Sequence, residues 1–257
     1  MIHPTAIIHP GASIGDGVRV GPYAVIGDAV TIGDGSSIGS HTLIHGPARI
    51  GRENQIHAFC SIGTDPQDRK FAGESESELE IGDGNVIREY CSINRGTRGG
   101  GGVTRIGTGN WILAYVHIAH DCHVGDRVLF ANNATLAGHV RVDDDAVLGG
   151  FTGVHQFCRI GRCALTAISS VVVKDVPPFV IVSGNTARPR CLNRIGLRRH
   201  GYGEAAIHVL QSAFRTVYRE HRLLAEALAE LKTLAQTHPE VAEFVSFFNG
   251  TVRGVVR

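Results

Sequence analysis

The sequence predicts a parallel β-helix of hexapeptide repeats, followed by a small α-helical C-terminal domain. Three observations lead to this fold class. An apolar residue recurs at every sixth position from Ile2 to Val172, with two interruptions and with Thr166 as the one polar member. Glycine follows many of these residues, and a small residue often stands two positions before them. Beyond Pro178 the period of six disappears, and apolar residues recur at spacings of three and four, which is typical of helices.

The repeat comprises 26 hexads in three runs, which start at Ile2, Ile81 and Ile106. Short strands separated by turns every six residues can wind into a triangular coil with three hexads per turn. Eighteen residues then make one coil, and nearly nine coils stack into a prism about 40 Å long at roughly 4.8 Å per coil. Proteins with this hexad resemble left-handed parallel β-helices, an exception to the usual right-handed crossover.

Two insertions interrupt the repeat, at residues 63–80 and 95–105. Loops that leave a regular solenoid usually carry function. The second insertion contains the glycine run 99–102, but no Lys-Ser/Thr pair and no predicted helix follow it. We therefore predict a flexible loop rather than a phosphate-binding loop.

The C-terminal part of the chain has the pattern of three helices, at residues 204–219, 222–237 and 239–248. Pro239 suits the first turn of a helix. We therefore place a β-helix domain at residues 1–190 and an α-helical domain at residues 191–257. Such a prism has flat faces, and proteins homologous to it form trimers, so we expect a homotrimer.

Composition restricts the class of protein. The net charge of +1 argues against nucleic acid as a partner. The N-terminus has no signal-like segment, and nowhere does an uncharged stretch approach the roughly 20 residues that span a bilayer. We expect a cytoplasmic protein without integral membrane contact. The six cysteines form no CxxC pair, so we expect reduced thiols. Four of them occupy the small, inward-facing slot of the repeat: Cys60, Cys91, Cys122 and Cys158.

A polar column stands out on the otherwise apolar repeat. The spacing of eighteen stacks His120, Gly138 and Gln156 on three successive coils. An imidazole beside a carboxylate can accept a proton from a hydroxyl near neutral pH, which suits His120 with Asp121. The bare amide of Gly138 can donate to an oxyanion. The column offers no serine or cysteine nucleophile, so direct transfer is favoured over a covalent intermediate. The column is flanked by His117, Asp121, His139 and His155.

Two other interpretations of these residues remain. One is a set of ordinary outward polar side chains, as for most of the 14 histidines. The other is a metal site, but spacing by three distributes side chains around a corner of a β-helix, and no cysteine or carboxylate set completes a tetrahedron. We therefore expect neither a metal nor another cofactor. The histidines considered as ligands are His117, His120, His123, His139 and His155.

The segments around the column resemble the UDP-N-acetylglucosamine acyltransferase family, which acts first in lipid A biosynthesis. The resemblance runs essentially end to end, including the helical tail. It implies transfer of an (R)-3-hydroxyacyl chain from acyl carrier protein to the sugar 3-hydroxyl, without a metal. The matching segments are 68–74 (DRKFAGE), 95–97 (RGT), 117–122 (HIAHDC), 132–139 (NNATLAGH), 155–157 (HQF) and 175–178 (DVPP).

The resemblance also implies roles for single residues. His120 would be the general base, Asp121 its orienting partner, and the Gly138 amide the oxyanion donor. Asp68 and Lys70 would reach the site across a subunit boundary. Binding of the sugar nucleotide and the acyl group would involve His117, His139, His155, Gln156, Asn193 and Arg199. A basic cluster suits an acidic carrier protein, or is a solvated face: Arg188, Arg190, Arg194, Arg198 and Arg199.

Some positions depart from the family pattern. Asn94 and Thr186 stand where histidine is common, and Ile195 replaces a glutamate near the uracil. A 3-amino sugar is therefore an alternative acceptor, because exchange of its hydroxyl for an amine leaves the acyl-transfer reaction the same and changes only local hydrogen bonding. Ile168 lies where relatives with longer acyl chains can have glycine. Because overfilling a pocket costs about 1–3 kcal/mol, we predict a preference for roughly ten to twelve acyl carbons.

Three rival functions are also considered. The later N-acyltransferase of the same pathway carries an extra N-terminal domain and tends to have asparagine after the histidine, whereas here the hexads begin at Ile2 and Asp121 follows His120. The other rivals are a carbonic-anhydrase-like β-helix with interfacial zinc and a noncatalytic scaffold.

Overall fold

The computed structural model describes residues 1–73, 77–220 and 222–257. The chain winds as a parallel β-helix in which each coil adds one strand to each of three sheets, so the predicted fold class is confirmed. Strands are numbered in chain order. The first sheet contains β1 (Ile7–Ile8), β4 (Val25–Ile26), β7 (Leu43–Ile44), β10 (Ser61–Thr64), β13 (Ser92–Asn94), β16 (His117–Ile118), β19 (Thr135–Leu136), β22 (Gly153–Val154) and β25 (Val171–Val172).

The other two sheets are built in the same way. The second sheet contains β2 (Ser13–Ile14), β5 (Val30–Ile32), β8 (Ala48–Ile50), β11 (Glu78–Ile81), β14 (Val103–Ile106), β17 (His123–Val124), β20 (Arg141–Val142) and β23 (Arg159–Ile160). The third sheet contains β3 (Arg19–Val20), β6 (Ser37–Ile38), β9 (Gln55–Ile56), β12 (Val86–Ile87), β15 (Trp111–Ile112), β18 (Leu129–Phe130), β21 (Val147–Leu148), β24 (Leu165–Thr166), β26 (Val180–Ser183) and β27 (Arg188–Leu192).

The register between coils follows the predicted spacing of eighteen. Ile118 pairs with Leu136, and Leu136 pairs with Val154. At the insertions the spacing widens, because Ile62 pairs with Ile93 and Ile93 with Ile118. The inserted residues therefore leave the helix without shifting which side chains face inward.

Repeat residues form the core of the prism. The second residue of most two-residue strands is buried, whereas the first faces outward. Burial of a branched aliphatic side chain contributes about 1.5–3 kcal/mol, so a column of such residues along each sheet stabilises the coil strongly. The four cysteines of the small slot are buried, as predicted: Cys60, Cys91, Cys122 and Cys158.

The prism has three corners, which we number by the sheets they join. The first corner leads from the first sheet to the second, the second corner from the second sheet to the third, and the third corner from the third sheet back to the first. A ladder of stacked rings runs along the third corner, with centroids 5.0–5.2 Å apart. This aromatic ladder consists of Tyr23, His41, Phe59, Tyr90 and Tyr115.

The helical part follows an antiparallel strand. Strand β27 turns back on β26 and crosses the boundary expected at residue 190. All three predicted helices are present within about two residues of their expected ends, preceded by one short helix. The helices are α1 (Arg194–Arg199), α2 (Glu204–Tyr218), α3 (Leu224–Ala235) and α4 (Pro239–Ser246). None of the helices in the described ranges is both long and apolar enough to cross a bilayer.

The glycine run of the second insertion has a defined turn, whereas a flexible loop was predicted. Residues Arg98–Gly100 form a 3₁₀ turn that is capped by the side chain of Thr97. The amides of Gly100 and Gly102 both donate to the Thr97 carbonyl, at 3.0 and 2.8 Å. Gly101 takes a φ of 102°, in the region that favours glycine, so the run serves the turn.

Candidate active site

One corner of the prism collects the polar column and both insertions. The first insertion connects β10 to β11 and the second connects β13 to β14, so each replaces a turn of the first corner. His120, Gly138 and Gln156 follow β16, β19 and β22 at the same corner, on successive coils. The sequence therefore predicted correctly that these three residues form a column.

His120 and Asp121 form the centre of this site. Their side chains are 8% and 0% exposed, and His120 Nδ1 lies 2.8 Å from Asp121 Oδ2. An ionised carboxylate only accepts hydrogen bonds, so the imidazole donates from Nδ1, and in the neutral ring Nε2 is then the unprotonated nitrogen. This tautomer leaves Nε2 able to accept a proton from a substrate hydroxyl.

The second insertion holds the Asp121 carboxylate in place. The Thr97 amide donates to Oδ1 at 2.9 Å, and the Thr97 hydroxyl donates to Oδ2 at 2.7 Å. The Asp121 amide in turn donates to Thr104 Oγ1 at 2.8 Å. Burial raises the pKa of Asp121, but the hydrogen bonds from His120 and Thr97 outweigh it, so the pKa lies below its usual value. The carboxylate is therefore ionised at neutral pH.

Gly138 lies directly against the His120 ring. A Cβ at this position would stand 2.6 Å from His120 Cε1 and 2.8 Å from Nε2, so only glycine leaves the imidazole where it is. Among the hydrogen bonds between described residues, none uses the Gly138 amide as a donor. This N–H group is therefore free beside the His120 ring, where it could donate to an oxyanion.

His139 and His117 flank His120 on two sides. The His139 ring meets the His120 ring edge-on, with centroids 5.1 Å apart, and stacks on Phe157 at 4.5 Å. His117 is joined to Ser92 by a hydrogen bond of 2.7 Å. Burial is the main reason that the pKa values of His117 and His139 lie below the usual value, which favours neutral rings at pH 7.

The first insertion comes close to His120 within the same chain. A cavity of about 680 Å³ lies between the insertion and the column. Asp68 and Lys70 thus share a cavity with His120 of their own chain, whereas the resemblance implied a contribution across a subunit boundary. The exposed His155 lies beside Gln156, with Nδ1 3.3 Å from the Gln156 carbonyl oxygen. The cavity is lined by Gln67, Asp68, Arg69, Lys70, His120 and Gln156.

Three residues implied by the resemblance lie at other corners. Asn193 donates to the Cys163 carbonyl at 2.9 Å, which places it at the second corner, where its side chain also caps α1. Arg199 ends α1 on the same side of the prism. Ile168, between β24 and β25, lies at the third corner and is 72% exposed. A single chain therefore does not bring these residues to His120.

The three departures from the family pattern have different surroundings. Asn94 is buried below the column and donates from Nδ2 to the carbonyls of Thr64 and Asp65, at 3.3 and 2.9 Å. Thr186 and Ile195 are exposed, beyond β26 and in α1 respectively. Asn94 therefore supports the start of the first insertion, a function that the sequence comparison did not predict.

The structure also separates the histidines that were weighed as metal ligands. His117 projects from the first sheet and His123 from the second, so the spacing by three does spread them around the corner. Among the described residues, potential ligand atoms of His120, Asp121 and His139 lie within 4.8 Å of one another. Both Asp121 oxygens and His120 Nδ1 are already engaged in hydrogen bonds, which favours proton transfer over metal binding at this cluster.

Sequence reasoning missed several residues of the site. Thr97 appeared only as part of the RGT segment, and Thr104 and Ser92 were not singled out. Each is a small polar residue within or beside an insertion, where the six-residue period gives no register. The aromatic residue after Gln156, Phe157, was also overlooked as the stacking partner of His139.

Comparison with known proteins gives a consistent family. The model for the second domain of UDP-N-acetylglucosamine O-acyltransferases matches residues 175–256, and the bacterial transferase hexapeptide model matches residues 11–46 and 104–138. The acyl-(acyl-carrier-protein)–UDP-N-acetylglucosamine O-acyltransferase of Thiobacillus denitrificans is 56% identical, with 100% of this chain and 99% of the relative covered. The enzyme of the same name from Alkalilimnicola ehrlichii is 50% identical over the same shares.

Solved structures agree with the sequence comparison. The UDP-N-acetylglucosamine acyltransferase of Francisella novicida superposes with a TM-score of 0.97 at 38% identity, covering 100% of this chain and 94% of that one. The Acinetobacter baumannii protein has a TM-score of 0.96 at 41% identity, with 100% and 99% covered. The chain belongs to the family of acyl-(acyl-carrier-protein)–UDP-N-acetylglucosamine O-acyltransferases.

Proposed function

We propose that the protein transfers an (R)-3-hydroxyacyl chain from acyl carrier protein to the 3-hydroxyl of UDP-N-acetylglucosamine, the first step of lipid A biosynthesis. The observation that carries this proposal is the first corner itself. A buried His120–Asp121 pair presents an unprotonated Nε2 beside the free amide of Gly138. A general base next to an oxyanion donor is what acyl transfer to a hydroxyl needs.

The reaction proceeds by direct transfer. His120 Nε2 takes the proton of the sugar hydroxyl while its oxygen attacks the thioester carbonyl. The Gly138 amide stabilises the oxyanion of the tetrahedral intermediate. Collapse of that intermediate forms the ester, breaks the carbon–sulfur bond and expels the carrier-protein thiolate, which receives the proton from His120. Asp121 stays ionised throughout and stabilises the transient imidazolium.

Substrate contacts follow from the cavity at the first corner. Asp68, Lys70 and Gln156 line it, and the His139 ring meets the His120 ring edge-on. We assign these residues to the sugar and the diphosphate, with His117 and His155 beside them. Asn193 and Arg199 would contact the nucleotide from the second corner of a neighbouring copy.

Such an arrangement requires an assembly, and we propose a homotrimer, which the distribution of polar and apolar residues on the faces of the prism supports. Outward residues of the second sheet are mostly charged, such as Arg49, Glu80 and Arg105. Those of the third sheet are polar in its first three strands and apolar from Val86 onward, as at Trp111 and Leu129. The first sheet also exposes apolar residues, and these two faces meet at the aromatic ladder of the third corner. If the ladder lies on a threefold axis, the first sheet of one copy packs on the third sheet of the next, and the first corner meets a second corner.

The size of the assembly can be measured by light scattering after gel filtration. Trp111→Lys, which charges the apolar third sheet, should dissociate the trimer, whereas Thr31→Lys on the charged second sheet should leave it intact. A monomeric wild type, or a Trp111→Lys variant that stays trimeric, would contradict the proposed packing.

The length of the acyl chain is proposed to depend on Ile168. Its exposed side chain at the third corner would project into the groove between two copies and shorten it. A branched residue there should favour roughly ten to twelve carbons, and Ile168→Gly should extend the range. Equal use of longer chains by the wild type would remove this assignment.

The carrier protein is proposed to dock on the basic cluster of β27 and α1. Arg198 is already paired with Glu204, at 2.6 Å, so we assign the contact to the remaining arginines. These are Arg188, Arg190, Arg194 and Arg199.

One assay tests the activity. Purified protein is incubated with UDP-N-acetylglucosamine, or its 3-amino analogue, and a series of 3-hydroxyacyl carrier proteins, and products are identified by mass spectrometry. His120→Ala should lose product formation, whereas His123→Ala, three residues away on the second sheet, should retain it. Absence of product with every donor would refute the proposal, and product only with the 3-amino sugar would change the acceptor.

A further inference from the structure

We propose that Arg95 is a positioning residue, which fixes the segment 65–71 so that Asp68 and Lys70 face the base. The inference rests on the proposed function in one respect, namely that Asp68 and Lys70 bind the sugar nucleotide. Arg95 itself is not assigned to the substrate. It acts through the loop that it holds.

Arg95 occupies the same place in its coil as His120 does one coil further on. It directly follows β13, and Ile93 pairs with Ile118. Its side chain is only 11% exposed, which is low for an arginine. Its position at the base of the column therefore lets it reach the first insertion, which leaves the prism one coil earlier.

The guanidinium holds the segment at both ends. At the first end, Nε and Nη2 donate to Asp65 Oδ1 at 3.1 and 2.7 Å. At the second end, the guanidinium carbon lies 5.4 Å from the centre of the Phe71 ring, within range of a cation–π contact. Arginine suits this place because one planar group can bond a carboxylate and stack on a ring at once.

The residues between these ends depend on that hold. The Lys70 amide donates to Asp68 Oδ1 at 3.0 Å, and the Phe71 amide donates to the Asp68 carbonyl at 3.0 Å, so the tip forms its own turn. Among the described residues, no hydrogen bond joins residues 68–70 to the strands of the prism. The direction of the tip relative to His120 therefore depends on residues 65 and 71.

The expected effect is on substrate binding and not on the chemical step. Loss of the Arg95 side chain leaves the His120–Asp121–Thr97 contacts in place, so kcat should stay within about threefold, whereas KM for UDP-N-acetylglucosamine should rise about tenfold. Arg95→Lys keeps the positive charge but not the planar guanidinium. Its KM should therefore lie between the KM of the wild type and that of a variant without a charged side chain at position 95.

The experiment compares Arg95→Met with Lys70→Met and Arg105→Met. Lys70→Met reports whether the segment binds the nucleotide at all. Arg105 is the matched control, because it too forms an ion pair of 2.7 Å, between its Nε and the Glu80 carboxylate. This pair lies on the second sheet, outside the segment 65–71. Steady-state kinetics are combined with trypsin digestion of each free protein, since Arg69 and Lys70 are cleavage sites at the tip. Arg95→Met should be cut there several times faster than wild type and Arg105→Met.

The outcomes separate the two proposals. A raised KM in Lys70→Met with unchanged KM and cleavage in Arg95→Met overturns the positioning role and leaves the proposed function standing. Faster cleavage in Arg95→Met with an unchanged KM in Lys70→Met would show that Arg95 orders the segment 65–71, but would refute a role of this segment in substrate binding. If Arg95→Met melts well below wild type, Asp65→Ala replaces it, because it removes the oxygen that accepts both Arg95 hydrogen bonds. An Asp65→Ala variant with wild-type KM and cleavage would likewise overturn the inference.

Discussion

Replacement of Gly138 by alanine tests the geometry of the base most directly. The new Cβ would stand 2.6 Å from His120 Cε1, whereas ordinary contacts begin near 3.4 Å, so the imidazole must retreat by about 0.8 Å. A misplacement of about 1 Å costs on the order of 100-fold in rate, which corresponds to about 2.7 kcal/mol of transition-state stabilisation. The Gly138→Ala backbone keeps its N–H group, so this loss isolates the displacement of the base.

The assay is steady-state acyl transfer, with kcat and KM measured separately. We expect kcat to fall about 100-fold and KM for the sugar nucleotide to change little, because the alanine alters the base and not the cavity wall. Gly99→Ala is the control, since a Cβ there meets nothing within 4 Å. Gly138→Ala with kcat within about threefold of wild type would show that His120 does not act from the position described here.

Further predictions concern protonation, thiols and ion pairs. The pKa of folded His117 lies below its unfolded value near 6.5, so the unfolded chain takes up a proton first as pH falls. The free energy of unfolding should therefore decline as pH drops below about 6.5. The midpoint of urea unfolding, measured as a function of pH, should depend less on pH in His117→Asn than in wild type. An equal pH dependence in both proteins would contradict the lowered pKa of His117. Of the six cysteines only Cys191 is exposed, so native protein at pH 8 should react quickly with one equivalent of a thiol reagent, and Cys191→Ser should abolish this phase. Rapid reaction of a second thiol would contradict the buried core. Asp145 is buried and contacts Arg127, Arg162 and His200. Asp145→Asn should lower the free energy of unfolding, measured by urea titration, by about 1–3 kcal/mol. An unaltered urea midpoint would show that these ion pairs do not stabilise the fold.

The result for Gly138→Ala can be interpreted only if His120 is required for activity, whereas the result for Ile168→Gly is independent of both. If His120→Ala retains product formation, the general-base role fails, and the result for Gly138→Ala loses its interpretation. If only Ile168→Gly fails to alter chain length, the base and the family membership are unaffected. The chemistry at the first corner and the substrate preference can therefore be judged separately.

The sequence by itself determined the β-helix, the inward cysteines and the polar column. The reason is periodicity, because a repeat of six fixes which side chains face inward and a coil of eighteen fixes which residues stack. The placement of His120, Gly138 and Gln156 in one column therefore follows from the sequence alone. The C-terminal helices followed in the same way from apolar spacing.

Only the tertiary structure decided what lies outside that period. Thr97 and Arg95 belong to an insertion without a register, so their contacts with Asp121 and Asp65 depend on how the loop folds back. Asn193 lies at a different corner because β27 reverses direction against β26, a turn that no spacing encodes. Periodic local structure can be read from a sequence, whereas contacts between non-periodic segments are fixed by packing in three dimensions.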